Sequence, residues 1–507
     1  MVKIFTVEQI RAADQYTIKH EPIDSIDLMK RAANKAFEFL YNQLLKEEQK
    51  EHFTFFCGTG NNGGDGLVMA QRCLDAGLPH QLFVVELSKN YSNDFNENLE
   101  IYKSIGGEFI VLNESNCDFE IDSKSTIIDC IFGTGLNRKV EGFSSEIIRQ
   151  INQKSNFTVS IDIPSGLFAE DNSGNDAACI VQAQHTVSFQ FPKLAFLFPQ
   201  NEVFVGNWHL VNIGLHPEYV KETKTPFHLI QKSDLATLLP QRGKFAHKGN
   251  FGHALIIGGC KGKFGAIILA AKSALRSGLG LLTLHIPKMA NTILQTSVPE
   301  AMVLLDENEE ELSKVNFKQN YTAIGIGPGM GTNQSAANAL KLLIQESAIP
   351  MVIDADALNI LAENKTWLSF LAKGTILTPH PGEFKRLVGS WSDDYERLQL
   401  QIELAKCYEI YVVLKGHYTS IATPAGEVFF NSSGNSGMAK GGSGDALTGI
   451  ITSLLAQRIP SKEACILGVY IHGLAGDIAS KKMGLISMLP SDLIDCLAEA
   501  FEELEKA

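Results

Sequence analysis

Short β-branched or aromatic runs alternate with helix-spaced segments along most of this chain, and the alternation starts afresh once, near the middle. Few folds accommodate that pattern. A strand, a crossover helix and a parallel strand close right-handed, and repeating the unit builds a mostly parallel sheet covered on both faces, so the fold class is α/β. Residues 52–57, 81–86, 126–132, 158–163 and 186–191 read as strands, with helical spacing over 67–76, 93–105 and 144–152. The second series places strands at 254–257, 281–286, 323–326, 351–353, 375–378 and 410–414. Between the series, residues 214–250 lose the pattern and carry Pro217, Pro226 and Pro240. A chain of 507 residues also exceeds what one core usually spans, which sets the expected domains at 1–224 and 225–507. The two series do not align as an internal repeat.

Composition removes several function classes. A net charge of -13 argues against non-specific binding to nucleic acid or an anionic membrane surface, because phosphate neutralisation needs clustered Lys and Arg. The nine cysteines include no C-x-x-C pair, so neither a disulfide framework nor a zinc site is expected. The N-terminal stretch carries Glu8, Arg11 and Asp14 where a signal peptide needs an apolar core, and no apolar run reaches the roughly 18 residues of a spanning helix. The reading is a cytoplasmic protein with small-molecule partners, free of nucleic acid and membrane.

Two glycine-rich, aspartate-bearing segments of different design punctuate the alternation. In the first, Asn61, Asn62, Gly63, Gly64, Asp65 and Gly66 follow a strand, and the glycines are expected to allow positive φ and close backbone approach before a helix whose N-terminus favours anions. The alternative for the segment taken alone is a tight strand-to-helix turn capped by Asn and Asp side chains. Two further strand ends converge with it: Asp129 leads into Gly133, Thr134, Gly135 and Leu136, and Asp162 into Pro164, Ser165 and Gly166. In an α/β sheet ligands bind beyond the carboxyl ends of the strands, where all three motifs fall. The second segment, Gly441-Gly442-Ser443-Gly444-Asp445, places backbone N–H groups and a helix N-terminus beside one carboxylate. That is an oxyanion cradle with a base next to it, or a capped helix. No G-x-x-x-x-G-K-[ST] is present, so a P-loop is excluded.

The N-terminal motifs N-N-G-G-D-G, D-x-x-F-G-T-G and D-I-P-S-G-L resemble those of the NAD(P)H-hydrate epimerases over residues 1–220, which implies a Rossmann-like three-layer αβα domain. By that resemblance Asn61, Asn62, Gly63, Gly64 and Asp65, together with Gly133, Thr134, Gly135, Leu136, Asn137, Arg138 and Lys139, cradle the hydrated dinucleotide. Asn62, Asp129 and Ser165 hold a potassium ion, and Asp162 contacts the modified ring. Epimerisation at C6 needs a group that assists hydroxide loss and return, so Asp162 is the acid-base candidate, with a ring or ribose anchor as its rival role. Lys193 is structural, phosphate-binding or catalytic.

The C-terminal half resembles the ADP- or ATP-dependent NAD(P)H-hydrate dehydratases over residues 225–505, through F-A-H-K-G at 245–249, G-P-G-M-G at 327–331, D-A-D-A-L-N at 354–359, T-P-H-P-G-E at 378–383 and K-G-H-Y-T at 415–419. The resemblance implies a ribokinase-like α/β domain. Ala266, Gly329, His380 and Asp445 then line the hydrated nicotinamide nucleotide, and Lys415, Gly416, His417, Tyr418, Thr419 and Gly444 hold ADP or ATP, with Asp445 as the catalytic base. Mg²⁺ accompanies the phosphates, with Asp356 and Glu383 as outer contributors. His380, between two prolines, is alternatively a rigid-turn residue. Both families imply self-association into a homo-oligomer. Within the same fold the rival activity is a small-metabolite kinase, since G-x-G-D does not select the acceptor. A second rival reads the N-terminal half as a non-catalytic dinucleotide-binding or protein-interaction module.

Overall fold

The computed structural model describes residues 1–45, 52–315 and 321–506. The chain forms two compact units: one comprises Lys3–Thr225 with Asp393–Tyr395, the other Met1–Val2, Pro226–Ser392 and Glu396–Ala507.

The first unit is built on seven strands: β1 (Phe53–Gly58), β2 (His80–Val85), β3 (Ile110–Leu112), β4 (Thr126–Cys130), β5 (Thr158–Ile161), β6 (His185–Phe189) and β7 (Asn207–Val211). Every pair is parallel and the order is β3-β2-β1-β4-β5-β6-β7. The order reverses between β1 and β4, and that is where a doubly wound sheet opens a crevice at its carboxyl edge. Phe53, Phe55, Ile128, Val159 and Val187 bury one sheet face beneath the helices Ser25–Phe39 and Asn61–Asp75. Phe56, Phe83 and Ile127 bury the other against the helix Phe143–Gln153. Strands apolar on both faces are what a parallel sheet between helices demands.

In the second unit the sheet contains β8 (Phe227–Leu229), β9 (His253–Ile257), β10 (Leu281–Ile286), β11 (Met302–Leu305), β12 (Ala323–Ile326), β13 (Met351–Ile353), β14 (Ile376–Leu377), β15 (Tyr411–Leu414), β16 (Ser420–Ala422) and β17 (Val428–Phe430). They run β8-β17-β16-β15-β14-β13-β12-β9-β10-β11, and β16 alone is antiparallel to both its neighbours. The helices Phe264–Arg276 and Ser443–Ala456 pack on this sheet through Ala270, Ala274, Ile450 and Ile451.

The largest departure from the sequence reading lies at the first glycine-rich segment. Helical spacing starts the helix at residue 67, whereas it begins at Asn61, so Gly63, Gly64 and Gly66 are helical and none has positive φ. Packing is the reason. A Cβ on Gly63 would lie 1.7 Å from Gly58 O, and one on Gly66 would lie 2.6 Å from Cys57 Sγ. The glycines let this helix seat directly on the end of β1. The helices Val7–His20 and Ser25–Phe39 and the strands β3, β7, β8, β11, β16 and β17 were also absent from the sequence reading. Among the described residues no helix is long and apolar enough to cross a membrane, and all nine cysteines are free.

Candidate active sites

In the first unit the carboxyl edge opens into a cavity of about 1030 Å³ lined by Asn61, Asn62, Asp65, Gly133–Arg138, Asp162 and Lys193, among others. That volume suits a ligand of dinucleotide size. Gly63, Gly64 and Lys139 do not line it: the two glycines are on the buried side of their helix and Lys139 is exposed.

Asp162 follows β5 with φ of 68°, a conformation that costs a non-glycine residue energy and turns its carboxylate back over the rim. Oδ2 accepts the Thr134 N–H at 2.9 Å, and Oδ1 pairs with Lys193 Nζ at 2.9 Å. Lys193 is 1% exposed and also donates to Ser188 Oγ at 2.9 Å and Phe191 O at 3.2 Å. These acceptors satisfy the donors of a buried lysine. Lys193 thus anchors Asp162.

Beneath the rim, Asp129 is fully buried, and burial raises its pKa against the pull of its hydrogen bonds. It accepts from Ser160 Oγ at 2.8 Å, from Ser165 N at 2.8 Å and from Ser165 Oγ. Asn62 Nδ2 donates to Phe132 O at 3.0 Å, while Asn62 Oδ1 is buried without a partner among the described residues. An orphaned amide oxygen near buried hydroxyl and carboxylate oxygens is the donor chemistry of a hard, weakly hydrated cation.

Asp14, which no motif singled out, faces the same cavity as Asp65 of the first glycine-rich segment. Burial, followed by the charge of Asp162, pushes Asp14 up to about 7, with Lys193 opposing. Asp65 is held well above the carboxylate range, again by burial first and then by Asp162, Asp14 and Asp94.

The second site lies along the carboxyl ends of β12 to β15. Asp354 follows β13, and its two oxygens join segments distant in sequence: Oδ1 accepts from Lys415 Nζ at 2.8 Å and Oδ2 from Thr448 Oγ1 at 2.7 Å. Lys415 follows β15 and lies 3.8 Å from Glu383. Burial lowers the Lys415 pKa, but Asp354 and Glu383 outweigh it, so the ammonium stays charged. A Cβ on Gly444 would sit 3.2 Å from Lys415 Nζ, which places the glycine turn directly over the ammonium. Gly442 caps the helix Ser443–Ala456 with φ of 102°, so Asp445 falls in its first turn. Burial and then the Asp354 carboxylate push Asp445 up to about 7, with Lys415 opposing.

Gly329, with φ of 59°, lies against Ala266: a Cβ there would be 3.2 Å from the Ala266 Cβ. Asp356 Oδ2 accepts from Gly331 N at 2.9 Å and from Lys263 Nζ at 3.1 Å, tying this loop to the helix after β13. His380 is an N-cap: its Nδ1 accepts from Gly382 N at 3.0 Å, while its own N–H donates to Glu383 at 2.8 Å. The side chain thus caps its own turn, and its exposed ring carries Nε2 3.5 Å from Glu383 Oε1. In the β15–β16 turn Gly416 and His417 are exposed, while Thr419 is buried and its Oγ1 donates to Gly416 O at 2.8 Å. His472 is a further supporting group. Its Nε2 lies 2.9 Å from Ser443 O, and burial drives its pKa down to about 4, so the neutral ring donates to the glycine turn. Among the described residues no three His, Cys, Asp or Glu side chains form a metal cluster.

A family model described as NAD(P)H-hydrate dehydratase matches residues 254–499, and one described as YjeF-related protein N-terminus matches residues 25–195. The bifunctional NAD(P)H-hydrate repair enzyme Nnr of Moorella thermoacetica is 34% identical, covering 99% of this chain and 97% of its own. The enzyme of the same name from Escherichia coli K12 is 32% identical, over 97% of this chain and 93% of its own. The crystal structure of the ADP/ATP-dependent NAD(P)H-hydrate dehydratase from Bacillus subtilis, co-crystallised with ATP/Mg²⁺, is 30% identical and covers 55% of this chain and 99% of that one, with a TM-score of 0.49. With both halves matched and relatives similar along nearly its whole length, the chain belongs to the family of bifunctional NAD(P)H-hydrate repair enzymes.

Proposed function

We propose that the first unit interconverts the R and S epimers of hydrated NADH and NADPH, and that the second dehydrates the S epimer at the expense of ADP or ATP. The observation that carries the dehydratase assignment is Asp445, a carboxyl at a helix N-terminus with its pKa lifted to about 7, beside the Lys415–Asp354 pair. A general base works best when its pKa lies near the ambient pH. Asp445 takes the proton of the C6 hydroxyl as that oxygen attacks the terminal phosphorus, releasing AMP from ADP or ADP from ATP. Phosphate then departs from C6 and a proton leaves C5, which restores the ring double bond. Lys415 and the Ser443–Gly444 backbone bear the phosphate charge, and Ala266, Gly329 and His380 hold the nicotinamide moiety. Mg²⁺ would supply charge neutralisation of the phosphates, with Asp356 and Glu383 as its outer contributors.

In the epimerase cavity Asp162 faces C6, with Lys193 fixing its position. Asn62, through its free Oδ1, would hold K⁺ with Asp129 and Ser165, and the ion would supply a fixed positive charge under the Gly133 loop. The unit boundary near residue 225 separates the two activities, and we place the chain in a reducing cytoplasm as a self-associating enzyme.

An R/S mixture of hydrated NADH, supplied with Mg²⁺, K⁺ and ADP or ATP, tests the whole reading by recovery of dihydronicotinamide absorbance and release of phosphate. Recovery of both epimers is expected; a stable phosphoester product would return the small-metabolite kinase to first place. The Asp162→Ala variant should repair the S epimer at the parental rate yet leave the R epimer to its slow spontaneous conversion, and fast consumption of R would remove Asp162 from the reaction. Because Asp445 must be deprotonated to act, kcat/KM for dehydration of S should fall about tenfold per pH unit below about 7 and level off above it. A profile flat on the acid side contradicts the base assignment.

A further inference from the structure

The helix Val7–His20 sends Ile10, Arg11, Asp14, Gln15 and Ile18 into the wall of the N-terminal cavity, the spacing of a single helix face. Arg11 is turned away onto Gly135 O at 3.3 Å. Asp14 makes no hydrogen bond or ion pair with any described residue, although its carboxyl is half-buried. A carboxyl on a cavity wall that no protein group engages is available to a ligand that enters the cavity. On the same cavity the sheet rim presents Asp162, both of whose oxygens already accept from Lys193 and Thr134. One cavity thus carries two carboxyl groups on different structural elements and in different states of engagement.

We infer that Asp14 is the second catalytic carboxyl of epimerisation, giving a proton to the hydroxyl that leaves C6 on one face while Asp162 receives the proton of the water that adds to the other. This rests on the epimerase reading of the cavity. The C6–O bond breaks with its electron pair on oxygen, the ring nitrogen's lone pair forms an N1–C6 iminium, and the Asp14 proton turns the departing hydroxide into water. Solvent water then adds to C6 from the opposite face, the π pair returns to nitrogen, and the surplus proton passes to Asp162. Its return to Asp14 through cavity water restores the starting state, with no change of oxidation level. The division of labour follows from the surroundings. Asp162 is engaged by two donors and is set up to accept. Asp14 is half-buried and faces Asp162, Lys193 and Asp65, and desolvation with the Asp162 charge lets it keep a proton to about 7. Environments that set two neighbouring carboxyls apart assign the acid and the base.

The intact chain, given the pure R epimer of hydrated NADH with ATP, Mg²⁺ and K⁺, reads epimerisation through NADH recovery, and the S epimer provides the internal control. In Asp14→Asn, kcat for R should drop by roughly 100-fold or more while KM for R and turnover of S stay parental. Asp14→Glu should recover part of the loss. In the parent, kcat for R should decline as pH rises through about 7, and Asp14→Asn should lose that alkaline limb. Turnover of R by Asp14→Asn within roughly threefold of the parent, or a defect confined to KM, overturns the assignment. A parent that does not exceed the spontaneous rate with R sinks the epimerase reading itself. If Asp14→Asn fails to fold, shown by a lost melting transition, the parent's pH profile decides, and a flat alkaline side refutes Asp14.

Discussion

Asp445→Asn abolishes most dehydration of the S epimer while ADP and ATP still bind. The expected loss in kcat is roughly 10²–10⁴-fold, the usual contribution of a positioned general base, with KM for nucleotide close to the parent's because Lys415 and the glycine turn are untouched. Stability separates this loss from unfolding. A carboxyl whose folded pKa lies above its unfolded value costs the fold stability as pH rises from the unfolded pKa towards the folded one, here from the ordinary 3.8 to about 7. Asn carries no such penalty, so above about pH 7 the variant should melt no earlier than the parent. Measuring turnover of S, nucleotide KM and Tm on the same preparation checks all three. Near-parental turnover would dismiss Asp445 as the base, and a lowered Tm would leave the loss to misfolding.

Asp445 was readable in the sequence because a glycine turn ahead of an apolar helix is a local signal. Its surroundings were not. Asp354 meets Lys415 and Thr448 across separations of 61 and 94 residues, and no local periodicity encodes such a pairing. His472 supports the turn from the middle of a long helix, where a lone histidine on an apolar face gives no signal of its own. Among the strands, long apolar ones such as His253–Ile257 and Leu281–Ile286 announced themselves. The strands Phe227–Leu229, Ser420–Ala422 and Val428–Phe430 are three residues each, too short to show a period, and Met302–Leu305 is exposed at both ends. The helix Val7–His20 could have been found, since Thr6 and Gln9 form a capping box. Missing it hid Asp14.

Gly63 is where local propensity pointed the wrong way, and it carries the second large effect. Glycine in the first turns of a helix loses more conformational entropy than alanine does, so at an unconstrained helical position Gly→Ala stabilises. At Gly63 the opposite is expected. The added Cβ would lie 1.7 Å from Gly58 O, 2.6 Å from Gly58 C and 2.9 Å from Gly58 N, all backbone atoms of the strand below. No rotamer change relieves a contact with backbone, so the helix must lift off β1. The cost should exceed about 3 kcal/mol, at or beyond the upper end of ordinary overpacking. For a unit of this size that lowers the melting temperature of the first transition by roughly 6–12 °C. Epimerisation should fail with it, because Asn61, Asn62 and Asp65 ride on the same turns. Gly174→Ala is the control: the site is exposed, has nothing within 4 Å and should shift stability by less than about 0.5 kcal/mol. Calorimetry on the intact chain, with the second transition as reference, checks both variants. A Gly63→Ala protein that melts with the parent would mean that the helix does not bear on the strand.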